Sequence, residues 1–207
     1  LRDFFSSGTT LPVSFRKNAL KKLRTSIEKY EDDINEALLK DFNKPPFETF
    51  LTETGLVYAE IKYALKRIDN WTAPVRAHGA LLTFPAKHMV YPQPHGVSLI
   101  MSPWNYPVML ALIPLVSAIT AGCCAFVKPS ELSPATSDVI KAIIDDAFEG
   151  QGYICENGGV ELATELLKEH WDHIFFTGSI NVGKIVMEAA SKHLTPVTLE
   201  LGGKSPA

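Results

Sequence analysis

Apolar positions along the chain change their spacing twice, and each change marks a different kind of element. From Arg16 to Phe42 they fall at Leu20, Leu23, Ile27, Tyr30, Ile34 and Leu38. Steps of three and four put them on one face of a helix. Pro45 and Pro46 interrupt that pattern, and a second helix is predicted from about Phe47 to Trp71, ended by Pro74. Residues 79–95, "GALLTFPAKHMVYPQPH", carry Pro85, Pro92 and Pro94, which suit neither a helix interior nor a central strand. They predict an extended hairpin arm. From Gly96 onward short apolar runs alternate with helical stretches. "GVSLIM", "CCAFVK", "YICE", "HIFFTG" and "PVTLEL" read as five strands. Helices are predicted to end near Ala121, Gly150 and Leu167, and to run from Asn181 to about His193.

Strands that alternate with helices predict an α/β fold: a Rossmann-like, doubly wound, parallel five-stranded sheet. The helices before residue 79 form a layer against it. The expected organisation is therefore residues 1–78 as N-terminal helices, 79–95 as an oligomerisation arm, and 96–207 as the nucleotide domain. Ligands of such sheets bind beyond the carboxyl ends of the strands. The residues there are Pro103, Trp104 and Asn105; Lys128 to Glu131; Asn157 to Gly159; Thr177 to Ser179; and Glu200 to Gly203. Polar residues or glycines at every strand end are a stronger signal than any one motif.

Composition narrows the function classes. The chain has 207 residues, 46% hydrophobic and 21% charged, with a net charge of −3. That is an ordinary globular balance, and nothing in it favours nucleic acid. The uncharged run of residues 107–127 has the length of a membrane span, but Pro114, Ser117, Thr120 and Gly122 divide it into a buried helix, a stop and a strand. The cysteines, Cys123, Cys124 and Cys155, form no disulfide framework and suit a reducing, cytoplasmic setting. Arg16, Lys17, Lys21, Lys22 and Arg24 cluster on the first long helix, as a solvated face or as a site for an anionic partner. The chain begins without Met and stops at "LELGGKSPA", just beyond a strand, so both ends are expected to be cut.

The stretch "FTGSINVGKIV" spaces Gly178, Gly183 and Lys184 like a P-loop, but Ile185 stands where a Mg²⁺-binding Ser or Thr is needed. The G-x-G-x-x-G fingerprint is also missing. What remains is a helix start at Gly178 and Ser179 that suits a phosphate, or a tight turn with no ligand. Lys128 and Glu131 stand where nucleotide folds meet the adenine ribose, or they belong to a helix cap supplied by Ser130 or Ser133. Glu200, at an expected core edge, suits a general base, and an ion pair is its plain alternative. Asn105, in a Pro-Trp-Asn-Tyr-Pro turn, can donate to an oxyanion or simply shape the turn. His170 and His173 have metal-like spacing, but no companion cluster of ligands is present in the sequence.

"PWNYP", "VKPSELSP", "HIFFTGSINVGKIVMEAA" and "TPVTLELGGKSP", in that order, resemble the aldehyde dehydrogenase superfamily, in wording closest to its class 3 and fatty-aldehyde branch. The resemblance covers the whole chain. It implies oxidation of an aldehyde to a carboxylic acid with NAD, or alternatively NADP, through a cysteine thiohemiacetal and thioester. It implies a cofactor site at Ile100, Ser102, Trp104, Asn105, Lys128, Glu131, Phe176, Thr177, Gly178, Ser179, Val182, Gly183, Leu201 and Gly202. Within it Asn105 holds the aldehyde oxygen, Lys128 and Glu131 meet the ribose, and Ser179 meets the pyrophosphate. Glu200 is the implied general base, and the hairpin arm is implied to build a homodimer. The nucleophilic cysteine belongs to a later segment that these residues do not include, so a stand-alone nucleotide-binding fragment is the alternative.

Overall fold

The computed structural model describes residues 1–204; the last three residues, including Ser205 and Pro206 of the closing motif, lie outside the described residues. The chain opens with a short helix, α1 (Arg2–Ser6), which the sequence pattern does not reveal. Phe4 and Phe5 of α1 pack against the sheet. Arg2 pairs with Asp172, whose carboxylate also accepts the N–H of Val97.

The long helix expected from Arg16 to Phe42 is two helices, α2 (Val13–Lys29) and α3 (Glu31–Phe42). Tyr30 leaves helical geometry at φ −99°, ψ 16°. Glu31, Asp32 and Asp33 then form an acidic first turn that suits the positive end of a new helix. The apolar stripe survives the break: Leu20, Leu23, Ile27, Ile34 and Leu38 are all fully buried, each contributing roughly 1.5–3 kcal/mol. Arg16 does not belong to a solvated basic face. It is 6% exposed and donates to the carbonyls of Thr10, Leu11 and Thr120, tying the N-terminal segment to the sheet domain.

The second predicted helix comprises α4 (Pro46–Thr49), a π-helical turn (Phe50–Thr54) and α5 (Gly55–Thr72). A Cβ on Gly55 would sit 2.5 Å from the Phe50 carbonyl oxygen, so the wide turn needs glycine there. Ala73, just before Pro74, is extended and ends α5. The hairpin begins earlier than residue 79. Its strands are β1 (Val75–Ala77) and β2 (His88–Val90), antiparallel with Val75 opposite Val90.

The sheet strands are β3 (Val97–Met101), followed by α6 (Pro107–Ala121); β4 (Cys124–Lys128), followed by α7 (Pro134–Phe148); β5 (Tyr153–Cys155), followed by α8 (Val160–Leu166); β6 (His173–Gly178), followed by α9 (Ile180–Ser191); and β7 (Val197–Leu201). They lie parallel in the order β5-β4-β3-β6-β7. Every β3 residue is buried, as its unbroken apolar run requires of a central parallel strand. One face carries α6 and α7, over which the α2, α3 and α5 layer closes a large core. The other face carries α1, α8 and α9. The apolar run of residues 107–127 resolves into α6, a left-handed stop at Gly122 (φ 86°) and β4. Among the described residues no helix is long and apolar enough to cross a membrane.

Candidate functional site

The strand order reverses at β3, with β4 on one side and β6 on the other, so the crevice beyond its carboxyl end is the topological switch point. A cleft of about 660 Å³ opens there. It brings together Trp104 and Asn105 from the loop after β3, Thr177, Gly178 and Ser179 from the end of β6, and Glu200, Leu201 and Gly202 from the end of β7. Thr177 and Glu200 are opposite one another in the β6–β7 register. Glu200 is exposed at the mouth of the cleft, not set into a core edge as the sequence suggests. The exposure has a simple cause: β7 is the last strand of the sheet among the described residues.

The other candidates lie around this cleft rather than in it. Lys128 and Glu131 form an ion pair at 2.8 Å, with the lysine buried and the carboxylate part-exposed. Burial works to raise the Glu131 carboxyl. Hydrogen bonds from Lys128 and from its own backbone, with the lysine charge, outweigh that and hold it below the usual carboxylate range. Ile100 is buried in the core beneath α6. The Phe176 ring is buried on the opposite face, close under Gly178, where a Cβ would meet it at 2.5 Å. Gly183 lies against Leu201, and Val182 is exposed on the first turn of α9.

The first-turn N–H groups of the helices decide where an anion can sit, because each helix begins with unpaired donors. In α6, Pro107 has no N–H, Val108 and Met109 donate to one oxygen of Glu53, and Leu110 donates to Tyr106. In α7, Pro134 has none, Ala135 and Thr136 donate to Asp41, and Ser137 donates to Ser133. The cap of α7 is thus Asp41 from α3, not Ser130 or Ser133. Carboxylates from the N-terminal layer occupy the positive ends of both helices. In α9, Ser179 Oγ accepts only from Val182, at 3.3 Å. The N–H groups of Ile180 and Asn181 have no partner among the described residues. The anion-receptive helix end is therefore the one after β6, beside the cleft, and not the one after β3 that a G-x-G-x-x-G turn would use.

Of the buried hydroxyls with no hydrogen-bond partner among the described residues, Ser102 Oγ and Thr177 Oγ1 lie at this end of the sheet, the others being elsewhere in the fold. Met101 is opposite Phe176, so Ser102 and Thr177 are neighbours at the strand ends. Unsatisfied buried hydroxyls at a switch point, beside a helix end with free donors, fit a polar dinucleotide. The three cysteines do not fit a nucleophile. All are buried; burial pushes the Cys124 thiol up to about 11 and the Cys155 thiol up to about 12. His170 and His173 face different neighbours: His170 meets His193 edge-on, while His173 stacks on His95 and hydrogen-bonds Thr198.

Asp41, Lys44 and Glu53 escape sequence reading. Their one trace is indirect: "YPVML" places proline at the first helical position with no side chain nearby that caps the next donors, whereas "SPATS" offers Ser133, which the structure leaves out of the cap.

Sheet order and the position of the cleft define a Rossmann-like α/β domain. The comparisons then fix its kinship. The family model described as "Aldehyde dehydrogenase family" matches residues 2–207, and the chain belongs to that family. Aldehyde dehydrogenase family 3 member A2 of Pongo abelii is 45% identical over 206 residues, covering 100% of this chain and 42% of that protein. The solved substrate-bound state of Staphylococcus aureus AldH superposes with a TM-score of 0.97 at 45% identity, covering 99% of this chain and 45% of that one. An aldehyde dehydrogenase of Mycobacterium tuberculosis complexed with NAD+ gives a TM-score of 0.85 at 25% identity, covering 99% and 42%. The chain thus spans a little under half the length of these relatives.

Proposed function

We propose that the full-length protein oxidises an aldehyde to a carboxylic acid with NAD, or NADP, and that these residues supply the cofactor site, the oxyanion donor and the general base. The observation that carries this reading is the meeting of Asn105, Ser179 and Glu200 in one cleft at the switch point. Family membership and an NAD+-complexed structural neighbour support it. Ser179 and the free N–H groups of Ile180 and Asn181 receive the pyrophosphate. The buried Lys128 and its partner Glu131 hold the hydroxyls of the adenine ribose. Ser102 and Thr177 offer the unsatisfied hydroxyls that the same ligand completes. The cofactor, when bound, accepts a hydride.

The attacking thiolate comes from outside residues 1–207, because Cys123, Cys124 and Cys155 are all buried away from the cleft. As it adds to the carbonyl carbon, a C–S bond forms and the oxygen gains negative charge, which the Asn105 amide N–H stabilises. Loss of hydride leaves a thioester. Glu200 takes a proton from water, the water attacks the acyl carbon, and the acid and thiol are released. Pre-steady-state kinetics of Glu200→Gln in the full-length protein test the assignment. The expected trace is an undiminished first turnover followed by a steady state slower by about 10²–10⁴-fold. A steady state equal to wild type would remove Glu200 as the base.

A further inference from the structure

The loop that carries Asn105 is gripped from the N-terminal helical layer on both sides of that residue. The Phe42 ring stacks on Trp104, with centroids 6.2 Å apart and 24° between planes. The Lys44 ammonium lies over the Tyr106 ring, 4.6 Å from its centroid. Lys44 is also ion-paired with Glu53 inside the protein, where the two side chains are 7% and 0% exposed. The second Glu53 oxygen accepts from Val108 at 2.9 Å and Met109 at 3.1 Å, the two free donors of α6. Asn105 itself is exposed, and its side-chain amide has no hydrogen-bond partner among the described residues. Nothing local holds the amide, so the part of its placement that the fold controls is its Cα–Cβ bond, which the backbone between Trp104 and Tyr106 sets.

We propose that Lys44 and Glu53 are positioning residues for aldehyde oxidation, fixing the Trp104–Tyr106 backbone so that the Asn105 amide points at the developing oxyanion. The proposal rests on the reading of Asn105 as the oxyanion donor. The physical case is the pair's cost. Two charges removed from water are retained where an apolar pair would fill the space at least as stably. What an apolar pair cannot do is accept two N–H groups at a helix start while its partner cation lies on the Tyr106 ring. The π-helical turn makes this geometry possible, because Glu53 lies within it and faces the start of α6. A displacement of about 1 Å in a group aimed at a transition state is enough to cost on the order of 10²-fold in rate.

A double-mutant cycle in the full-length protein, with hexanal as the aldehyde probe, separates positioning from general destabilisation. Asn105→Ala is expected to lower kcat by about 10²–10³-fold. Glu53→Gln is expected to lower kcat by about 10–10²-fold with the NAD dissociation constant within about two-fold of wild type. The combined variant should be no slower than about the Asn105→Ala variant alone, because Glu53 acts through that amide. If the two losses multiply, or if Glu53→Gln turns over like wild type while Asn105→Ala does not, the positioning role is overturned and the oxyanion reading stands. If Asn105→Ala turns over like wild type, the oxyanion reading itself falls. Should Glu53→Gln fail to fold, Lys44→Met with Glu53→Gln removes both buried charges together and enters the cycle in its place. The same non-additivity is expected of it, and multiplication of losses again overturns the proposal.

Discussion

Single side chains in this molecule act through the company they keep. Lys128 is buried and would be costly as a lone cation; Glu131 compensates it and remains part-exposed at the rim. That division suits a pair meeting a ribose diol, with the lysine as donor and the carboxylate as acceptor. Glu131→Gln should weaken NAD by about ten-fold and NADP by less, because the lost acceptor serves the free 2′-hydroxyl and its charge repels a 2′-phosphate. Equal losses in parallel titrations would argue against the ribose contact. The pH course follows from the sign of the Glu131 shift. Its folded carboxyl titrates below the ordinary value, so the pair is intact above the unfolded value of about 4.3 and is lost as pH falls through the lower folded one. NAD affinity should therefore be flat from neutrality down to about pH 5 and decline only below it. A break near pH 6 in that titration would assign the contact to another group.

At the scale of elements, the N-terminal helices do more than cover the sheet: α3 and the π-helical turn reach into the starts of α7 and α6. Asp41→Ala should cost about 1–2 kcal/mol in urea unfolding, because Ala135, Thr136 and the Thr136 hydroxyl all lose their acceptor. Asp41→Asn should recover part of that loss. An unchanged midpoint for the alanine variant would show that water replaces the cap. This coupling also explains which parts of the structure the sequence discloses. The apolar periods of Leu20 to Leu38 and of the five strands are local, and they predict the layers and the parallel sheet. The break at Tyr30 is not legible, since the same residues keep one buried stripe through it. Arg16 sits among lysines in the sequence, yet its guanidinium is spent on three carbonyls, one of them over a hundred residues away. The site divides in the same way. Strand ends are legible because topology alone places them, so the meeting of Asn105, Ser179 and Glu200 at one cleft can be anticipated. Asp41 and Glu53 cannot, because a carboxylate's target is a tertiary fact. α1, five residues long, has too few positions to show a period.

At the scale of the whole molecule, the hairpin arm is the part that the chain's own core does not explain. Leu81, Leu82 and Phe84 are 91%, 98% and 82% exposed at its tip, and Val75 and Val90 are exposed on its strands. Three large apolar side chains in four residues, left uncovered by the rest of residues 1–204, call for a covering surface, either a second copy or the remainder of the full-length protein. The two-stranded hairpin is also too small to be stable by itself in water. Both facts are resolved if the arm lies against a second copy of the protein, which buries the tip and extends the ladder. A dimer of the full-length protein is therefore expected at micromolar concentration. Leu82→Asp with Phe84→Asp should shift it to monomer in light scattering, since two charges would have to be buried with the apolar tip. Neither residue contributes to the sheet core, so the circular dichroism spectrum and the NAD affinity should stay at wild-type values. A variant that remains dimeric would place the subunit contact elsewhere and assign the cover of the tip to the remainder of the full-length protein. One that unfolds would mean that the arm supports the fold of its own chain.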